Sequence, residues 1–316
     1  MSAVFPFSMA LLSLKSLLVC QRFLPRSVMT TPRLLDVQCA SPAGLHNMAY
    51  TEWGAPDNPR VLICVHGLTR LSRDFDRLAQ VLSDRYRVVC PDVVGRGRSD
   101  WLRNPLLYAV PQYVADMVTL IARLNVPQVH WLGTSMGGLI GLSLAGLENS
   151  PIARLVINDV GPAIDAAALV RIGEYLGQPV RFATVDEAVD YVARVAAPFG
   201  LKSRDDWRAI TEPGLRRDGE GWTLHYDPAI AAPFRAASAE LAASGEALLW
   251  QLYDRVACPT LLVRGAESDL LTRATAQRMT ERGPRARLVE IAGVGHAPMF
   301  MDASQIGIVC DFLFEG

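Results

Sequence analysis

Apolar positions along the chain fall into two rhythms. Residues 61–65, 86–90, 129–132, 152–157 and 259–263 form short, nearly unbroken apolar runs. That is the pattern of strands buried on both faces of a parallel sheet. Between them, apolar residues recur at helical spacing: Phe75, Leu78, Ala79 and Leu82; Val114, Met117, Val118, Ile121 and Leu124; then an Ala/Leu/Gly-rich run over residues 136–147. Two further strands precede this alternation, over 34–39 and 46–53, separated by a Ser-Pro-Ala-Gly turn. A last strand over 288–291 and a closing helix over 305–314 follow it. Strand and helix in regular alternation imply parallel strands with crossover helices on both faces.

The rhythm breaks after Pro162. Leu169, Ile172 and Leu176 predict one helix, and Val185, Val189, Val192 and Val195 predict another. Trp207 and Ile210 fall on a third, while Gly219, Gly221 and Asp227-Pro228 punctuate the remainder. No buried parallel strand returns before residue 259. The expected organisation is a core over 29–161 and 237–316, interrupted by a mostly helical insertion over 162–236. Leu241, Leu248, Leu249 and Leu252 mark the helix that leads back to the sheet.

Composition changes this picture little. Half of the 316 residues are apolar and the net charge is −1, so a sizeable core is available. Neither nucleic acid nor an anionic membrane surface is expected as a partner. Six cysteines stand at 20, 39, 64, 90, 258 and 310. None forms a Cys-x-x-Cys pair or lies at metal-ligand spacing from a histidine, which predicts a reducing compartment and neither metal nor cofactor. Residues 1–28 stand outside the fold argument as an N-terminal extension. Their apolar run is interrupted by Lys15 and is too short to span a bilayer. The positive charges at Arg22 and Arg26 follow it, where a secretory signal would place them in front. The reading is a start at Met29 and a cytoplasmic protein without stable membrane insertion, with export as the alternative.

Candidate chemistry gathers at strand ends, where loops converge in such sheets. Gly133-Thr134-Ser135-Met136-Gly137 lies between a predicted strand and a predicted helix. Gly-x-Ser-x-Gly in that setting is a nucleophile elbow: a tight turn that presents one hydroxyl beside a helix N-terminus. After the 259–263 strand comes Arg264-Gly265-Ala266-Glu267-Ser268-Asp269, and after the last strand Ala292-Gly293-Val294-Gly295-His296. Ser135, Asp269 and His296 thus supply nucleophile, acid and base in the chain order of an α/β-hydrolase. Glu267 reads as a solvated loop residue, and Asp159, at the end of the 152–157 strand, is the alternative acid. Oxyanion donors are expected from the backbone N–H groups of Met136 and Leu68. His66 reads as a structural loop residue. Residues 92–99, despite glycines at 95 and 97, read as a structural turn, because no Gly-Lys-Ser/Thr follows.

His66-Gly67, Asp92-Val93-Val94-Gly95-Arg96-Gly97-Arg98-Ser99, Gly133-Thr134-Ser135-Met136-Gly137-Gly138 and Gly293-Val294-Gly295-His296 together resemble the signatures of the α/β-hydrolase superfamily. The resemblance covers residues 34–315. It implies an eight-stranded, mostly parallel sheet with flanking helices, and a cap formed by the 162–236 insertion. One departure concerns the acid, which in the family usually follows the strand's glycine by three residues; Asp269 follows Gly265 by four. Dehalogenases and epoxide hydrolases of the superfamily carry aspartate at the elbow, which argues against both here. The His-Gly-x-Gly-Pro-Gly loop usual in carbon–carbon bond hydrolases is replaced by His66-Gly67-Leu68-Thr69-Arg70.

The function expected is hydrolysis of small to medium, uncharged carboxylic esters through an acyl-enzyme on Ser135. The alternatives are a carbon–carbon bond hydrolase, a lactonase or a thioesterase, and, outside catalysis, a ligand receptor on the same fold. A small-molecule ester is the expected partner, and a homodimer is left open.

Overall fold

The computed structural model describes residues 31–236 and 239–315. The expected extension over residues 1–28 and the start at Met29 lie outside the described residues. In chain order the strands are β1 (Arg33–Ser41), β2 (Gly44–Trp53), β3 (Val61–Val65), β4 (Arg87–Pro91), β5 (Val129–Thr134) and β6 (Ile152–Asn158), then β7 (Leu215–Asp218), β8 (Gly221–Leu224), β9 (Thr260–Gly265) and β10 (Arg287–Ile291). The helices are α1 (Asp76–Leu82), α2 (Val110–Leu124), α3 (Met136–Ala145), α4 (Ala166–Tyr175) and α5 (Val185–Val195), followed by α6 (Arg204–Thr211), α7 (Ala232–Ala236), α8 (Ala239–Arg255), α9 (Arg273–Glu281) and α10 (Ala303–Phe314).

Eight strands form one sheet in the order β1-β2-β4-β3-β5-β6-β9-β10. The pairings β1–β2 and β2–β4 are antiparallel and the rest are parallel. The uninterrupted runs occupy the middle of the sheet: every residue of β3 and of β9 is buried. Two apolar layers cover its faces. One joins α2, α3 and α8 through Met117, Leu120, Ile140, Leu142 and Tyr253. The other joins α1 and α10 through Leu78, Leu82, Val309 and Leu313. Trp131 is fully buried in β5, as its position in the elbow strand predicts, and its Nε1–H donates to Gly137 O at 3.0 Å.

Helical spacing located the helices well and their buried faces less well. In α2 Val118 is half exposed, while Tyr113 and Leu120 are buried. In α8 Leu241 and Leu248 are exposed, and the face toward the core is carried by Trp250 and Tyr253. Aromatic residues with a polar tip took positions that a count of aliphatic residues passes over.

Between β6 and α8 the chain forms α4, α5 and α6 where helices were expected, the short α7 that was not, and also a two-stranded antiparallel hairpin, β7–β8. Its turn is the Gly219 and Gly221 region, where Gly219 has φ +60°. Strands of four residues are too short to show an alternation, so the hairpin left only its glycines as a trace. This insertion is tied to the sheet side through the 92–99 turn: Gly97 N donates to His225 O at 2.8 Å and Asp227 N to Gly95 O at 2.7 Å. Among the described residues, no helix is long and apolar enough to cross a membrane.

One cluster was not expected. Across the β1–β2 hairpin Cys39 pairs with His46, and Asp116 of α2 lies beside them, all three buried. His46 Nε2 and Asp116 Oδ2 are 3.2 Å apart, an ion-pair distance without hydrogen-bond alignment. Burial, with Asp116 adding to it, pushes the Cys39 thiol up to about 12. The sequence spacing concealed the cluster because hairpin register pairs Cys39 with His46 and the packing of α2 adds Asp116.

Candidate active site

The elbow strand and helix meet where backbone must approach backbone. A Cβ on Gly133 would stand 2.1 Å from Gly137 O, and one on Gly137 would stand 2.0 Å from Val65 O. Only glycine fits either place. Ser135 between them has φ 52° and ψ −114°, a conformation that non-glycine residues rarely adopt. It is held by Ser135 N donating to Asn158 O at 2.9 Å, and by Gly138 N and Leu139 N donating back to Ser135 O. Asn158 also fastens the neighbouring loop, its Nδ2 donating to Thr134 Oγ1 at 3.0 Å and to Pro298 O at 2.8 Å.

His296 Nε2 lies 2.9 Å from Ser135 Oγ, and His296 Nδ1 lies 2.7 Å from Asp159 Oδ2. Asp159 is therefore the carboxylate that faces the histidine, and the expectation for Asp269 is corrected. Asp159 is fully buried. Beyond His296, its oxygens accept from Gly265 N at 2.8 Å and Ser268 Oγ at 2.7 Å. Asp269 instead takes a two-pronged contact from Arg171 of α4, through Nε at 2.8 Å and Nη2 at 3.0 Å, with its side chain 48% exposed. Glu267 is exposed, as expected of a solvated loop residue.

The physical reason is lateral. β6 and β9 are neighbours in the sheet, so a carboxylate at the end of either strand reaches the same histidine. At the third residue after Gly265, where the family usually has its acid, stands Ser268. Its hydroxyl is spent on Asp159. The signal that points to this in the sequence is the four-residue offset of Asp269 together with a hydrogen-bonding residue at the vacated place.

His66 is fully buried. Its Nε2 accepts from Val93 N at 2.9 Å, so Nδ1 carries the proton and donates to Gly67 O at 2.7 Å. Burial pulls its pKa down to about 3, with Arg96 and Arg70 adding to the effect. It is neutral and structural, as expected. The 92–99 turn is structural too, since Asp92 accepts from Ser72 N at 2.8 Å and Arg98 N at 3.0 Å.

That turn nevertheless carries a residue the sequence reading passed over. Arg96 is fully buried, with its guanidinium over the rings of Tyr108 and Tyr113. It donates to Leu68 O at 2.8 Å, Val94 O at 2.8 Å and Tyr113 Oη at 2.9 Å, and contacts Met136 Sδ at 3.6 Å. One side chain thus touches both residues from which oxyanion donors are expected. A buried cation held by carbonyl dipoles and π faces also favours negative charge nearby.

A cavity of about 120 Å³ opens over Ser135 and His296. Leu68 lines it from the core, and Ile172, Tyr175, Val192 and Leu224 line it from the insertion. The His296 loop touches the insertion directly, Gly295 N donating to Pro198 O at 2.7 Å.

A profile of the alpha/beta hydrolase family matches residues 62–305. The chain belongs to the alpha/beta hydrolase family. Within it, the chain is 56% identical over 286 residues to the 3-hydroxybutyrate-oligomer hydrolase of Cupriavidus necator, covering 89% of this chain and 98% of that one. It is 27% identical over 259 residues to a pimeloyl-[acyl-carrier protein] methyl ester esterase of Xanthomonas campestris, covering 78% and 91%. Among solved structures, an alpha/beta hydrolase from Novosphingobium aromaticivorans superposes with a TM-score of 0.78 at 31% identity, covering 90% of this chain and 99% of that one. These alpha/beta hydrolase relatives bear out the expectation of an enzyme acting on ester bonds.

The buried histidine sets a pH dependence of stability. His66 in the fold binds its proton only near pH 3, whereas unfolded histidine binds one near 6.5. The unfolded chain therefore takes up the proton first as pH falls, and stability is lost from pH 6.5 downward. Because the folded value lies well below pH 5, the loss by pH 5 depends only on the unfolded value and is about 2 kcal/mol. Burial lowers His130 to about 4, which acts in the same direction. Thermal unfolding should show Tm a few degrees lower at pH 5 than at pH 7. Burial raises the carboxyls of Asp74, Asp76 and Asp116, which acts in the opposite direction, so an unchanged Tm would mean that these carboxyls offset the histidines or that His66 is protonated in the fold.

Proposed function

We propose that this protein hydrolyses short oligoesters of 3-hydroxybutyrate or a closely similar hydroxy acid, through an acyl-enzyme on Ser135. For the reaction, the support is one histidine bridging Ser135 Oγ at 2.9 Å and Asp159 Oδ2 at 2.7 Å. For the substrate, it is the 56% identity to the Cupriavidus necator hydrolase along nearly its whole length.

Ser135 Oγ attacks the ester carbonyl carbon while His296 Nε2 takes its proton. The Nδ1–H donated to Asp159 keeps the ring in the tautomer with a free Nε2, and the carboxylate stabilises the imidazolium that forms. The backbone N–H groups of Leu68 and Met136 receive the oxyanion, each donor contributing on the order of 3 kcal/mol to the transition state. Arg96 positions both. As the tetrahedral intermediate collapses, His296 returns its proton to the leaving alkoxide, and the hydroxy acid departs as an alcohol. Water then repeats the sequence on the acyl-enzyme, with His296 as base, and frees the acid. The insertion over 162–236 acts as the cap that keeps bulk water from the acyl-enzyme, and the apolar residues it adds to the cavity suit an aliphatic acyl chain.

The test is acid release from the 3-hydroxybutyrate dimer and trimer, followed at constant pH beside p-nitrophenyl acetate, butyrate and octanoate. The expected result is turnover of the oligomers with a kcat/KM above that of the longest p-nitrophenyl ester. Turnover of the activated esters alone would reduce the reading to a general short-chain esterase.

A further inference from the structure

An oligomer of a 3-hydroxy acid with a free end carries a carboxylate close to its last ester bond. Four bonds separate the carboxylate carbon from the scissile carbonyl carbon, about 5 Å in an extended chain. A site that selects this bond gains from a cationic hydrogen-bond donor near the nucleophile, on the side of the leaving group.

Arg70 stands there. It closes the loop that begins at His66-Gly67, its N–H donating to Gly67 O at 3.1 Å, and it lines the cavity with Ser135. A Cβ on Gly67 would lie 3.7 Å from Ser135 Cβ and 3.8 Å from Arg70 Cγ. The two side chains flank the same glycine. The guanidinium is already immobilised: Nε and Nη2 donate to Asp74 at 2.8 and 2.5 Å, and Nη2 donates to Ile210 O at 2.6 Å. Among the described residues, Nη1 donates to nothing, and the side chain keeps 15% exposure. A guanidinium already held by Asp74 and Ile210 loses little freedom on binding an anion.

We propose that Arg70 Nη1 receives the terminal carboxylate of the leaving hydroxy acid. This rests on the oligoester reading above and adds a direction to it, since the chain is then shortened from its free-acid end. Arg171 also lines the cavity, but its partner Asp269 is exposed and it belongs to the insertion, so it is the natural competitor in the test.

The experiment compares the 3-hydroxybutyrate dimer as free acid with the same dimer capped as a methyl ester, in wild type, Arg70→Gln and Arg171→Gln. One charge-assisted contact is worth at least about a tenfold preference. Arg70→Gln should lower the ratio of free-acid to capped-dimer kcat/KM about tenfold, chiefly by raising KM for the free acid. An unchanged ratio, or a fall that appears in Arg171→Gln instead, overturns the assignment. Arg70→Gln leaves the buried Asp74 without its partner, so Arg70→Gln/Asp74→Asn carries the same comparison if the single variant does not fold. In wild type, 3-hydroxybutyrate should inhibit capped-dimer hydrolysis at concentrations where its neutral amide does not; equal inhibition overturns the assignment. Hydrolysis of neither dimer by wild type would sink the oligoester reading and this assignment with it. Hydrolysis of both with an unchanged ratio in Arg70→Gln would sink the assignment alone.

Discussion

Replacing Ser135 with alanine is expected to lower kcat on every ester substrate by at least about four orders of magnitude, the scale on which removing a triad member acts. Folding should be untouched. Among the described residues the Ser135 hydroxyl makes its hydrogen bond only to His296, whereas the bonds that hold the turn run through the Ser135 backbone. Alanine keeps those bonds and fills the same space, so Tm should move by no more than a surface substitution would move it. His296→Ala is expected to match it in kcat, because the two side chains act as one unit and their losses do not add. A Ser135→Ala protein with near-normal turnover would remove the acyl-enzyme altogether.

The second large effect separates two aspartates. Asp159→Asn should lower kcat by about four orders of magnitude, since an amide at the end of β6 no longer fixes the tautomer of His296 or stabilises its cation. Some stability should go with it. Asp159 accepts from Gly265 N and Ser268 Oγ as well as from His296, and an amide nitrogen turned toward any of these leaves a buried donor unpaired. Asp269→Asn should change kcat less than about threefold, because its exposed contact with Arg171 is of the kind worth about 1 kcal/mol or less. Steady-state kinetics of the two variants side by side decides the matter. If Asp269→Asn loses the activity and Asp159→Asn keeps it, the acid lies in the loop after β9.

That pair of variants also marks the boundary of what could be read from the sequence. Sheet and helices were legible because burial leaves a pattern: β3 is apolar throughout and β9 is apolar over residues 261–263, both buried along their whole length, and α2 repeats every three to four residues. Ser135 was legible because the elbow requires glycine at 133 and 137, where neighbouring backbone lies within about 2 Å of any added Cβ. His296 was legible because a histidine in a glycine-rich loop after the last strand has no core to serve. The acid was not, because neighbouring strands end at the same height and residue order cannot say which of two aspartates turns inward. Arg96 and Arg70 were hidden for another reason. Both lie in loops rich in charge, where an arginine reads as solvated, and only the packing of the 92–99 turn under Tyr108 and Tyr113 makes one of them a buried cation. The β7–β8 hairpin was missed because four-residue strands carry too few positions to show an alternation.

The central claim is that Ser135 carries the acyl group during turnover. Its most direct test is to quench wild type in acid during steady-state hydrolysis of a 3-hydroxybutyrate ester, digest it, and weigh the peptide that contains Ser135. The account predicts that this peptide gains the mass of a single 3-hydroxybutyryl group, and that the gain is absent in Ser135→Ala. Turnover with no such gain at Ser135, or with the group on another residue, would contradict it.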